Sequence, residues 1–235
     1  MTSLSHSKFD PDRAGEYAQQ ARIGLAGYDA CHELSACILS AALADVGDAR
    51  ILVVGAGGTA GEIVTAATLE SSWSFTAVDP SKPMLDIARS QVEAAGIAER
   101  VTFVDGELSS LPVDRVYDGA IMIGVLHHIP EDAEKVVLLN ETAARLKPGG
   151  SLILAGNYRH YASEPLLQAA WANRWRMHGA DEDEVEKKLA KIQAGAAPPA
   201  SEAVVAELLG QAGFAAPQRF FSSLFWGAWY TRLSA

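Results

Sequence analysis

Residues 51–62 read Ile-Leu-Val-Val-Gly-Ala-Gly-Gly-Thr-Ala-Gly-Glu, and this stretch decides the architecture. Ile51–Val54 is a continuous apolar, largely β-branched run, the pattern of a strand buried on both faces. Glycine then dominates from Gly55 to Gly61, and Glu62–Leu69 has a helical composition. Gly55 and Gly57 permit a tight turn and close approach of backbone to a ligand, and Thr59 stands where a hydroxyl can cap the helix. Backbone N–H groups at a strand-to-helix turn suit an anionic or carboxylate-bearing ligand. A purely structural turn in an α/β domain uses glycine in the same way, so this stretch alone marks a place and not a ligand.

Working outward, the same alternation repeats. Ser74–Val78 is a second strand, ended by Asp79-Pro80, and Lys82–Ala95 a helix stopped by Gly96. Val101–Val104 and Tyr117–Ile123 are further strands. Glu131–Leu146 reads as a helix ended by Lys147-Pro-Gly-Gly150, with Ser151–Ala155 as a fifth strand. Apolar strands alternating with helices predict a mostly parallel sheet covered on both faces. Two regions lie outside the alternation: residues 9–48, read as a helical lid, and residues 157–213, read as a helical cap. QAGAAPPA (193–200) is a loop in that cap, and Gln218–Leu233, aromatic and broken at Gly227, predicts a closing hairpin. The economical organisation is one domain over 1–235 with seven strands.

Composition narrows the function. The chain has 235 residues, 49% of them hydrophobic and 20% charged, which predicts an ordinary globular protein. A net charge of −10 lacks the footprint of a protein whose main partner is nucleic acid or an anionic membrane. No stretch approaches the roughly 20 apolar residues of a membrane span, and the first twenty residues hold no apolar core of a signal peptide. Cys31 and Cys37, six apart in an alanine-rich segment, face different sides of a helix, which fits two free thiols in a reducing cytoplasm.

Asp79, at the end of the second strand, lies 22 residues after Gly57, where a carboxylate can accept both hydroxyls of a ribose. Nicotinamide and S-adenosylmethionine enzymes share that pair, so it predicts an adenosine-containing cofactor; a capping Asp before Pro80 is the structural alternative. The residues that follow are more specific. VDPSKPMLDIAR (78–89), VTFVDGELSSLP (101–112), YDGAIMIGVLHHIP (117–130) and LKPGGSLIL (146–154), in this order and spacing, resemble the class I S-adenosylmethionine-dependent methyltransferases. The resemblance runs over roughly residues 9–233. FDPDRAGEYAQQARIGLAGYD (9–29) is similar to the N-terminal lid of the subgroup that includes carboxy-S-adenosylmethionine synthase and small-molecule methyltransferases.

That resemblance implies a Rossmann-like methyltransferase fold, S-adenosyl-L-methionine as cofactor, and a small-molecule acceptor, in a monomer or homodimer. It implies that Gly55, Ala56 and Gly57 wrap the methionine portion, that Asp79 holds the ribose, and that Pro80 and Met84 flank the adenine. Gly106, Glu107 and Leu108 fall at the adenine amino group, Ile123 and Gly124 at the methionine side, and Tyr28 closes over the cofactor from the lid, with Tyr17 and Arg22 as further candidates. Two positions depart from the family pattern: Val53 stands where an acid is usual, and Ala56 where Cys or Ser is usual. Loss of the acid leaves the cofactor's amino group to another partner, such as a backbone carbonyl.

His127 and His128 follow the fourth strand, at the rim where this fold places its chemistry, and either imidazole is a candidate base; an architectural role for the VLHH motif is the alternative. Their adjacency without a Cys or Asp cluster does not predict a metal site. Asn157, Tyr158, His160 and Tyr161 start at the same rim, with Tyr158 a third catalytic candidate. Trp171 and Trp175, spaced i, i+4 beside Arg174, are either walls for an acceptor or the buried face of their helix. Asp181–Lys188 reads as a solvated helix start.

Several functions are thus in play. The first is methyl transfer to a small molecule. Next come S-adenosylmethionine-consuming reactions without methylation: cyclisation or lysis releasing methylthioadenosine, or carboxy-S-adenosylmethionine synthesis, which the lack of a cap arginine near Ala190 and Lys191 disfavours. A nicotinamide oxidoreductase accounts for neither LKPGG nor VLHHIP, and intact Gly57, Asp79 and Glu107 oppose a non-catalytic partner subunit.

Overall fold

The structure, a computed structural model, describes residues 14–234, with side chains described from residue 19. Residues 9–13 of the expected lid and the Tyr17 side chain lie outside the described residues. Eight helices and seven strands follow in the order α1 (Ala14–Gly24), α2 (Tyr28–Ala42), β1 (Arg50–Val54), α3 (Gly61–Leu69), β2 (Ser74–Asp79), α4 (Lys82–Ala94), β3 (Val101–Asp105), β4 (Tyr117–Ile123), α5 (Asp132–Ala143), β5 (Leu146–Asn157), α6 (Pro165–Met177), α7 (Glu182–Gly195), α8 (Glu202–Gln211), β6 (Gln218–Ser223) and β7 (Trp226–Arg232). The strands form one sheet in the order β3-β2-β1-β4-β5-β7-β6, in which β7 alone among the described strands runs against the direction of the other six.

Side-chain alternation along each strand divides the core into two layers. Ile51 and Val53 of β1, Phe75 and Ala77 of β2 and Ile121 of β4 pack with Leu39 of α2, Ile63 of α3 and Val92 of α4. Leu52, Val54, Val78 and Met122 point the other way, onto Leu139 of α5 and Leu209 of α8. Burial on both faces is why Ile51–Val54 of β1 and Ala120–Ile123 of β4 read as unbroken apolar runs. Chain reversal falls between β1, whose next connection leads to β2, and β4 on its other side. The carboxyl ends of these two strands flank the crevice where open α/β sheets bind ligands.

The helix expected over Glu131–Leu146 is shorter than its sequence suggests. α5 ends at Ala143, and Leu146–Gly150 already belong to β5, with Leu146 paired to Tyr117 and a register irregularity before Gly119. Fully buried Leu146 anchors this early start, and the Lys147 ammonium reaches the Asp118 carboxylate at 2.7 Å, so the tertiary environment outweighs the turn tendency of Pro-Gly-Gly.

The expected lid over 9–48 divides into two different structures. α2 is a core helix: Cys31, His32, Ser35, Ala36 and Leu39 are buried, and Leu39 would meet any side chain added at Gly119 at 3.1 Å. α1 lies instead against the cap. Its last carbonyls accept hydrogen bonds from the Trp171 indole (Gly24 O, 2.7 Å) and the Arg174 guanidinium (Ile23 O, 2.6 Å; Arg22 O, 2.8 Å), which supply partners that a helix C-terminus lacks. Trp171 and Trp175 stack at 5.0 Å within a cluster that includes Ile23, Tyr161, Val185 and Phe225. These tryptophans are therefore the buried face of α6. Asp181 caps α7 in a reciprocal capping box with Glu184, as the acidic start of that segment suggested.

Candidate active site

The glycine turn is shaped by what crowds it. Gly55 and Gly58 have left-handed φ of +71° and +104°. A Cβ on Gly55 would lie 2.3 Å from Val125 Cγ2, so the bare backbone of this turn packs directly against the Val125 side chain after β4. At Gly57 a Cβ would meet Met84 Cβ at 2.6 Å and Asp79 Oδ2 at 2.7 Å. The Gly57 N–H instead donates to Asp79 Oδ2 at 3.0 Å, while Ser81 N–H donates to Oδ1 at 2.8 Å. An ionised carboxylate offers about four lone-pair positions, so such a group can accept from several donors at once. The loop after β3 joins the same place, Gly106 N–H donating to Asp79 O at 3.1 Å.

Around this centre the structure gathers most of the expected cofactor residues. Ala56 and Met84 are buried and Pro80 is half-buried beside Asp79. Leu108 is buried in the layer under α5, and Glu107, two residues beyond the register pair Asp79–Asp105, is exposed. Gly124, with φ +79°, follows half-buried Ile123; a Cβ there would meet the Trp226 ring at 3.4 Å. Val53 is buried in β1 between Ala77 and Ile121, so no acid stands at that position.

His127 and His128 differ sharply in setting. His127 is buried, its ring edge-on to Trp226 at 5.5 Å, and its Nδ1 would lie 3.1 Å from a Cβ on Gly156. Its carbonyl accepts from Ala197 N–H at 2.8 Å, which ties the 193–200 loop to the rim. His128 is exposed, 4.3 Å from the His127 ring. Tyr158 goes elsewhere: it is buried against Trp229 in the layer under α5 and α8, and Arg159 and Arg219 donate to its hydroxyl at 3.2 and 3.3 Å. Burial would raise the Tyr158 phenol, but hydrogen bonds from Arg159 and Ser222 and the two arginine charges outweigh it and hold the phenol below its ordinary value. Trp226, carried in from the end of the chain, forms a wall of the site that the sequence singled out only as part of an aromatic tail.

Tyr28 reaches the glycine turn. Its hydroxyl pairs with Thr59 Oγ1, which also accepts from Gly61 N–H at 3.3 Å. The Arg22 guanidinium lies over the Tyr28 ring at 5.0 Å and pairs with Asp29 at 2.9 Å. Beneath Tyr28 sit His32 and Glu62, both buried, with Nε2 and Oε2 3.6 Å apart. Nothing in the sequence marked that pair, because its members lie on different helices.

Comparison with known proteins agrees with this geometry. Residues 51–150 match the family described as a methyltransferase domain. The carboxy-S-adenosyl-L-methionine synthase of Hydrogenovibrio crunogenus is 28% identical over 150 residues, which cover 63% of this chain and 58% of that protein. The chain thus spans little more than half the length of this curated relative. Human N-acetylserotonin methyltransferase, solved with S-adenosylmethionine, superposes with a TM-score of 0.59 at 17% identity over 86% of this chain and 52% of that one. A protein of Bordetella parapertussis superposes with a TM-score of 0.67 at 18% identity over 87% of this chain and 67% of that one. Sheet order and glycine site define the class: the chain has the class I S-adenosylmethionine-dependent methyltransferase fold.

Proposed function

We propose that this protein binds S-adenosyl-L-methionine in the crevice at the carboxyl ends of β1, β2 and β4 and transfers its methyl group to a small-molecule acceptor. The observation that carries this reading is the Gly57–Asp79 contact: the cradle excludes every side chain at Gly57 and fixes the Asp79 carboxylate against the turn, at the end of β2 where this fold meets a ribose. Gly55, Ala56 and Gly57 line the methionine end, Pro80, Met84, Gly106, Glu107 and Leu108 the adenine end, and Ile123 and Gly124 the floor between. When bound, the sulfonium supplies an electrophilic methyl group; the chain's own contribution is orientation and exclusion of water.

Tyr28 closes the methionine end through Thr59, and Trp226 walls the acceptor side above Gly124. His127 and His128 are the groups placed to take a proton from an acceptor hydroxyl or amine. Tyr158 acts instead as the anchor of the Arg159–Arg219 network. Calorimetric titration with S-adenosylhomocysteine, followed by incubation with methyl-labelled S-adenosylmethionine and a panel of small phenols, amines and acids, tests the reading. Absence of nucleoside binding refutes it.

A second reading keeps the cofactor and drops the acceptor. Val53, with no acid to hold the cofactor's amine, and the likeness to a carboxy-S-adenosyl-L-methionine synthase both favour it. Release of methylthioadenosine from S-adenosylmethionine alone would support cyclisation or lysis in place of transfer.

A further inference from the structure

The His32–Glu62 pair lies outside the crevice, yet it is built into the contact that closes it. Four contacts form a ring. Tyr28 touches Thr59 through its hydroxyl; Thr59 accepts from the Gly61 N–H; Gly61 abuts the His32 imidazole, which a Cβ would meet at 3.0 Å; and the imidazole stacks back on Tyr28 with ring centres 4.2 Å apart. His32 Nδ1 lies 2.8 Å from the Tyr28 carbonyl and Nε2 3.6 Å from Glu62 Oε2. Both facing atoms are acceptors. A neutral imidazole donates from one nitrogen only, so only the imidazolium satisfies the two together.

We propose that His32, held between the Tyr28 carbonyl and Glu62, is the positioning residue for Tyr28, so that its protonated form sets the closure of the cofactor site over the glycine turn. This deepens the cofactor reading and rests on it. Glu62 is in the first turn of α3, where the helix favours an anion, and its carboxylate is nearly enclosed, so it depends on His32 for a partner charge. The other charges near the ring are Asp29 and Glu33 of α2 itself and Arg22 of α1, which reaches it through the Tyr28 ring; α4 contributes Ile87, Gln91 and alanines to the adjoining cavity, which bear no charge.

The sign follows from the same contacts. Burial lowers the imidazole, but hydrogen bonding and charge from Glu62, the Tyr28 carbonyl and Asp29 together hold it above its ordinary 6.5. Protonation is therefore complete in acid and is lost as pH rises through that raised value, at which point either Tyr28 or Glu62 faces a lone pair.

The test is S-adenosylhomocysteine affinity of the full chain by calorimetry, between about pH 6 and pH 8, where an unperturbed imidazole titrates. Wild type should lose about fivefold in affinity across that range, the worth of one contact of about 1 kcal/mol. His32→Gln and Glu62→Gln should each bind about fivefold more weakly than wild type at pH 6, with little pH dependence. Independently of any variant, the His32 ring resonances should titrate at higher pH when S-adenosylhomocysteine is saturating, because coupling between proton and nucleoside is reciprocal. A wild-type pH profile retained in His32→Gln, or a His32 titration unmoved by S-adenosylhomocysteine, overturns the proposal. Failure to bind S-adenosylhomocysteine at any pH overturns the cofactor reading itself, a distinguishable result.

Discussion

Asp79→Ala should damage binding and stability by separable amounts. The carboxylate accepts from Gly57 N–H at 3.0 Å and Ser81 N–H at 2.8 Å, and the proposed function has it accept from the two ribose hydroxyls as well. Removing two hydrogen bonds to a charged acceptor costs roughly 2–4 kcal/mol of nucleoside binding, or about 30- to 700-fold in Kd. Freeing the two backbone donors, of half-buried Gly57 and buried Ser81, costs about 1–2 kcal/mol of stability. At about 2–4 °C per kcal/mol for a chain of this size, the Tm should fall by roughly 2–8 °C. Asp79→Asn should lie between, since its amide oxygen satisfies one donor while its NH2 end accepts nothing. Calorimetry with S-adenosylhomocysteine and a thermal melt on the same samples separate the two effects. A lowered Tm with affinity within about threefold of wild type would refute the ribose role and leave Asp79 as the strut of the glycine turn.

Other consequences are equally direct. Trp171→Ala should cost about 3–5 kcal/mol, because the indole fills the cap cluster and holds the Gly24 carbonyl, so a Tm lowered by less than 2 °C would contradict its assignment to the core. Hydrogen exchange should show residues 19–30 gaining protection with S-adenosylhomocysteine while 31–42 are protected from the start; equal exchange of 19–30 in both states would make α1 a fixed element. Burial pushes the Cys31 thiol up to about 12, whereas Cys37 is exposed, so a thiol reagent at pH 8 should titrate one cysteine quickly in the native protein and both after denaturation.

The architecture was legible because it is written in local periodicity. A run such as Ile51–Val54 announces burial on both faces, and the glycines after it, with Asp79 at the end of the next strand, mark where the backbone must approach a ligand. Those expectations need no knowledge of which element neighbours which. The ordered motifs from Asp79 to Gly150 then pointed to a cofactor that spacing alone left open between two classes. Boundaries were less secure: Lys147-Pro-Gly-Gly reads as a stop, and only the burial of Leu146 and the pairing with Tyr117 make it the opening of a strand.

By itself, then, the sequence determined the alternation of elements, the parallel sheet, the glycine turn and the acid that faces it. Tertiary structure decided everything that depends on distant partners. Sequence leaves Trp171 and Trp175 between acceptor wall and core; α1, 147 residues before Trp171, decides it by placing the Gly24 carbonyl on the indole. Tyr158 sat at the right rim in sequence, but strand direction turns it into the layer under α8, onto Arg219. Trp226 joins Gly124 only because β7 inserts antiparallel beside β5. His32 and Glu62 carry no local signature at all. Periodicity reports which face of an element is buried, whereas the identity of the group opposite is set by how two elements pack, and the chemistry of this site lies in those pairings.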